Sequence, residues 1–221
     1  MEIARPEIRI FIHAWNPDTG KAETLASVSL DEYTVENLQA AISDALGIAD
    51  RLLGCAELRL WLPQVSVWLW SNRGLRARMQ LSQDLIQRIA AAGASVDFDP
   101  YMYEGMEFLM ANVAGTKATL PEISAMINCV GSVSEYGRVV ATLSYEEYTF
   151  ENVEAAISSL IENSRSTFGE ETSCTPQVIV RPLLKREDRA SMHFSASLVR
   201  LLAEAKAALD FDPSVYEEFE A

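Results

Sequence analysis

The sequence predicts an α+β fold: a tandem repeat of two similar units, each an antiparallel sheet with two helices on one face. Three observations predict it. Short motifs recur at a constant spacing. Period-two apolar alternation is followed by helical periodicity in both halves. The order of these patterns is the same in each half. Pro6-Glu7-Ile8 returns as Pro121-Glu122-Ile123, Glu32-Tyr33-Thr34 as Glu147-Tyr148-Thr149, and Ala40-Ala41-Ile42-Ser43 as Ala155-Ala156-Ile157-Ser158. After a small shift in register, Asp97-Phe98-Asp99-Pro100 matches Asp210-Phe211-Asp212-Pro213. Order, spacing and composition agree together, as an internal repeat requires. The units are expected at residues 1–116 and 117–221, with the boundary in the weakly patterned stretch from Asn112 to Leu120.

Each unit reads as strand, strand, helix, two or three strands, helix, and an acidic aromatic tail. Ile8, Ile10, Ile12 and Ala14 lie on one face of the first strand, as Ile123, Ala125, Ile127 and Cys129 do in the second unit. Alternation of this kind marks a sheet with one buried face. Thr34 and Thr149 are placed to cap helices through their hydroxyls. Val35, Leu38, Ile42 and Ala45 follow helical spacing, and so do Phe150, Val153, Ile157 and Leu160. Leu58, Leu60 and Leu62 form one strand face, and Val65, Val67 and Leu69 another. The second helix buries Leu85, Ile86 and Ile89, matched by Leu198, Val199 and Leu202.

Nearly half of the 221 residues are apolar, a globular composition, and the formal charge is −14. Nine basic side chains face fifteen acidic ones through residue 113, and nine face seventeen beyond it, so the charge belongs to both halves. Such a field repels nucleic acid and anionic membranes and attracts basic partners; plain solubility would account for it equally. The opening residues have no apolar signal core and no apolar run reaches a membrane-spanning length. With three cysteines at spacings that fit no metal knuckle, the expected compartment is the reducing cytoplasm.

Chemical signatures are few. His13 and His193 have no Cys, Asp or Glu at ligand or triad spacing and read as surface or packing residues. Cys55 and Cys174, just before the third strand of each unit, read as small core residues. Gly20-Lys21 lacks the flanking residues of a phosphate loop and belongs to a hairpin turn. No catalytic residue, metal ligand set or cofactor is expected.

Two features suggest binding instead. Asp97 with Asp99, and Asp210 with Asp212, project to one side of an extended segment, opposite Phe98 and Phe211. Such pairs suit an Arg/Lys cluster, or else simply face water while the aromatics pin the tail. All four tryptophans lie in the first unit. Alternation sets Trp61, Trp68 and Trp70, with Trp15, on the sheet face away from the helices, beside Arg9, Phe11, Arg59, Arg76 and Arg78. Aromatic and arginine-rich faces are where binding hot spots concentrate, unless another surface covers them permanently.

The segment from Leu81-Ser82-Gln83-Asp84-Leu85-Ile86 through Gly93-Ala94-Ser95-Val96-Asp97-Phe98-Asp99 resembles the closing helix and tail of small bacterial immunity proteins that accompany secreted polymorphic toxins. The second unit repeats it from Phe194 through Asp212. The resemblance covers about the last quarter of each unit. It implies a non-catalytic protein that neutralises a cognate toxin by occlusion, with no active-site residues to carry over. A basic toxin would fit the acidity of both units. The expected partner surface comprises Trp61, Trp68, Trp70, Asp97, Asp99, Asp210 and Asp212. Two other classes remain open: an enzyme or small-ligand protein with its site between the repeats, and a structural partner-binding module.

Overall fold

The computed structural model describes residues 7–53, 61–71, 78–102, 122–131, 138–170, 174–185 and 191–216. They form an α+β protein with four helices and two mixed sheets. In chain order the elements are β1 (Ile8–Trp15), β2 (Ala22–Leu30), α1 (Val35–Leu53), β3 (Leu62–Ser71), β4 (Met79–Leu81), α2 (Gln83–Ala91) and β5 (Ser95–Met102). The same order follows in β6 (Ile123–Gly131), β7 (Arg138–Tyr145), α3 (Phe150–Glu170), β8 (Cys174–Lys185), β9 (Met192–Phe194), α4 (Ala196–Glu204) and β10 (Ala208–Phe211). A short β11 (Ser214–Tyr216) closes the described chain.

The sheets differ from expectation in two ways. Each was expected to be antiparallel, yet β5 runs parallel to β3, and β10 and β11 run parallel to β8. The cause is connectivity: a helix, not a tight hairpin, lies between the paired strands and reverses the chain once more. Each unit was also expected to complete its own sheet. Instead the first sheet has the order β2-β1-β3-β5-β9 and the second β4-β10-β8-β6-β7, with β11 beside β8. Each sheet therefore ends on a three-residue strand from the other half of the chain. The Asp-Phe-Asp segments are interior strands, not tails: β5 lies between β3 and β9, and β10 between β8 and β4.

The recurring motifs have identifiable structural work. A Glu7 carboxylate oxygen accepts from the Tyr33 backbone N–H at 2.8 Å, and Glu122 accepts from Tyr148 at the same distance. Thr34 and Thr149 accept from the N–H groups of Asn37 and Asn152, capping α1 and α3. The Tyr33 hydroxyl donates to the Arg78 carbonyl and the Tyr148 hydroxyl to that of Ser191. Each tyrosine thereby fixes the backbone just before an exchanged strand, and burial pushes both phenols above their ordinary range. Ser82 and Ser195 cap α2 and α4.

All four helices and both sheets share one hydrophobic core. The apolar faces of α2 and α4 meet within it, through residues that include Leu85, Ile89, Leu198 and Leu202. Three phenylalanines join the sheets: Phe211 of β10 meets Phe98 of β5 and Phe194 of β9 edge-on, each with ring centroids 5.7 Å apart. Edge-to-face geometry sets the positive ring edge against a negative face. Cys129, expected to be a core residue, is buried and disulfide-bonded; Cys55 and the Cys174 side chain lie outside the described residues.

Candidate binding surface

The first sheet turns Ile8, Ile10, Ile12, Val65, Val67, Leu69, Val96 and Phe98 to the core. Strand alternation then sends their neighbours to the opposite, outer face. Strand register orders that face into rows. Trp15 lies across from Leu62, His13 from Gln64, Phe11 from Ser66, and Arg9 from Trp68. On the next strand, Asp97 lies across from Ser66 and Asp99 from Trp68, and His193 of β9 lies across from Asp97.

One end of this face is apolar and open, with Trp15 49 % and Leu62 55 % exposed. In the middle, Phe11 stacks on His13, with centroids 5.6 Å apart, and meets Trp68 edge-on at 5.0 Å. The Asp97 carboxylate takes a bond from the Gln64 side-chain amide, and its other oxygen lies 2.5 Å from His193 Nδ1. His13 Nδ1 lies 3.1 Å from the Thr24 hydroxyl. Desolvation lowers the His13 pKa below its ordinary value of 6.5, and the Asp97 charge opposes that shift. Asp99 behaves differently. Its Oδ1 is shielded from solvent and has no hydrogen-bond partner among the described residues.

The matching face of the second sheet carries other chemistry. Asp210 lies across from Ile179, as Asp97 does from Ser66. It is 3 % exposed and bound by Arg78: Arg78 Nε donates to Oδ1 at 2.6 Å and Nη2 to Oδ2. That bond raises the Arg78 pKa further, and burial opposes it. Asp212 is 8 % exposed, with Arg181 Nε 3.9 Å from its Oδ2. Where the first sheet has Phe11, Ser66 and Trp68, the second has Met126, Ile179 and Arg181.

The residues singled out from sequence therefore divide. Trp68, Asp97 and Asp99 come together on one outer face. Asp210 and Asp212 lie on the other sheet, buried against arginines of the same chain. Trp61 precedes β3, and Leu62 takes the outward position instead, because a single continuous strand from Leu62 to Ser71 fixes the alternation. Trp70 lies on β3, with its side chain outside the described residues, as are Arg59 and Arg76. Sequence reasoning missed the meeting of His193 with Asp97. The only signal for it was that His193 and Gln80 occupy matching places one strand away from an Asp-Phe-Asp segment.

Among the described residues, no group of three or more His, Cys, Asp or Glu is arranged to hold a metal ion, and no helix is long and apolar enough to cross a membrane. No protein-family model and no curated protein matches the chain. What the fold and this surface define is an α+β protein whose first sheet presents an outer face of aromatic, histidine and carboxylate side chains.

Proposed function

We propose that the protein is a non-catalytic immunity protein, which binds a cognate secreted toxin and neutralises it by occlusion. In this reading the chain is a tandem duplication, units 1–116 and 117–221, whose units have traded β4 and β9. Matching cap, tyrosine and glutamate bonds support the duplication. A bulge at Ile12/His13 and at Ile127/Asn128 supports it too.

The observation that carries the functional reading is the Phe11–Trp68 pair beside Asp97 and Asp99 on the outer face of the first sheet. Aromatic area beside carboxylates suits a basic protein surface. The net charge of −14 would speed encounter with such a partner. Co-expression with the product of the adjacent gene tests the reading. The neighbour is expected to be toxic alone and harmless in the presence of this protein. A harmless neighbour, or a pair that fails to associate at low salt, removes the immunity role.

The Asp97–His193 contact favours a second reading, an enzyme or small-ligand protein with its site between the two units. A carboxylate on Nδ1 leaves Nε2 as the nitrogen to accept a proton, the arrangement of a general base. Turnover in hydrolase or transferase substrate panels, lost on His193→Gln, would establish this reading over the first.

A further inference from the structure

The two halves of the chain meet through a reciprocal surface. β4 of the first half pairs antiparallel with β10 of the second, setting Met79 across from Phe211, Gln80 from Asp210 and Leu81 from Leu209. β9 of the second half pairs in the same sense with β5 of the first, setting Met192 across from Phe98, His193 from Asp97 and Phe194 from Val96. Position for position the junctions correspond: methionine to phenylalanine, a polar side chain to an aspartate, an apolar side chain to another. Tyr33 and Tyr148 fix the backbone just before β4 and β9 through matching bonds. Between the junctions α2 packs on α4, and Phe98 meets Phe211 edge-on at 5.7 Å. A surface on which each side offers the same two elements, each to the other's counterpart, is isologous in form, the kind by which identical chains pair.

These are core contacts. Met79, Leu81, Phe98, Met192, Phe194 and Phe211 are all buried. Burying a large apolar side chain is worth about 1.5–3 kcal/mol, so each half has strong need of a partner. Nothing in the junctions requires that partner to be the same molecule. Both are built from residues outside 103–122, the connection between β5 and β6. A covalent connection contributes only effective concentration, of the order of millimolar for a short linker. The pairing is nevertheless selective. Asp210 is sealed and takes both prongs of Arg78. In the second half the place of Arg78, as the carbonyl that accepts from the tyrosine, belongs to Ser191. Two second halves paired together would leave Asp210 buried without its arginine, which is costly. A first half must therefore meet a second half.

We infer that the partner of this surface is also a second copy of the chain: two chains form a reciprocal dimer in which the first half of each is completed by the second half of the other. The inference goes beyond the proposed function and stands without it. Such a dimer carries the outer face of the first sheet twice and is bivalent toward any partner of that face.

The test uses the full wild-type chain and needs no substitution. A mixture of carbon-13-labelled and unlabelled protein is held at about millimolar concentration, near the effective concentration of the tethered halves, in urea at the unfolding midpoint. It is then returned to buffer and separated by size. A dimer fraction is expected that grows with the concentration at refolding and includes dimers of mixed mass. In the mixed dimers, isotope-filtered NMR should show contacts between the Phe98 ring of one chain and the Phe211 ring of the other. Amide signals at both junctions should overlay those of the monomer, since every contact there is kept. A chain that returns only as monomer at every concentration overturns the inference. So does a dimer without the filtered Phe98–Phe211 contacts, which associates through some other surface.

Discussion

Arg78 and Asp210 stand 132 positions apart and form a two-pronged ion pair, with Arg78 Nε 2.6 Å from Asp210 Oδ1. The pair fastens β4, from the first half, onto β10, from the second. Asp97 and His193 meet at the reciprocal junction of β5 and β9. Three-residue strands have little ladder energy of their own, so both junctions depend on side chains and on the shared core.

Removing Arg78 should therefore destabilise the whole molecule. Arg78→Met leaves the Asp210 carboxylate buried without its cation and should cost about 3 kcal/mol in urea unfolding. Adding Asp210→Asn should recover part of that loss, since the orphaned charge is then gone. Additive losses in the double variant would show that the two residues are not coupled.

Helix ends offer a prediction of opposite sign. Gly93, after α2, has φ of 66°, and Lys206, after α4, has φ of 53°. The closing bonds match: Ala94 N–H to the Ile89 carbonyl, and Ala207 N–H to that of Leu202. Glycine enters the left-handed region without the Cβ clash that lysine meets there. Lys206→Gly should raise stability by up to about 1 kcal/mol, visible as a higher Tm. An equal or lower Tm would mean that the Lys206 side chain contributes something this backbone argument omits.

These two cases also show what the sequence could convey. Strand faces, the Thr34 and Thr149 caps and the α+β class follow from local spacing, because alternation and capping act within a few residues. The exchange does not. Met79–Leu81 and Met192–Phe194 are too short for their pattern to say which sheet they join. A period-two pattern is also blind to strand direction, so the parallel β3–β5 and β8–β10 pairings had no signature. Asp97 and Asp210 have identical neighbours, Phe and a second Asp, yet one is half-buried beside a histidine and the other sealed under an arginine. That difference arises from Arg78 and His193, each brought in from the opposite half.

The outer face should also leave a mark on pH dependence. Desolvation lowers the folded-state pKa of His13 below its ordinary 6.5. The unfolded chain then binds more protons than the folded one between the two values, so stability rises with pH through that window and is lost as pH falls from about 6.5. His13→Gln should flatten this part of the Tm–pH curve relative to the wild type. An identical slope in the variant would remove His13 as its source.

The central claim is that the outer face of the first sheet meets a basic toxin. Association kinetics of the purified pair, followed for wild type and Trp68→Ala at low and high salt, test it most directly. Added salt should slow association of both proteins alike, since the net charge of −14 acts before contact. Trp68→Ala should speed dissociation, by an amount equivalent to roughly 2–4 kcal/mol if the indole is central to the interface. A dissociation rate unchanged by Trp68→Ala, with association insensitive to salt, would contradict the account.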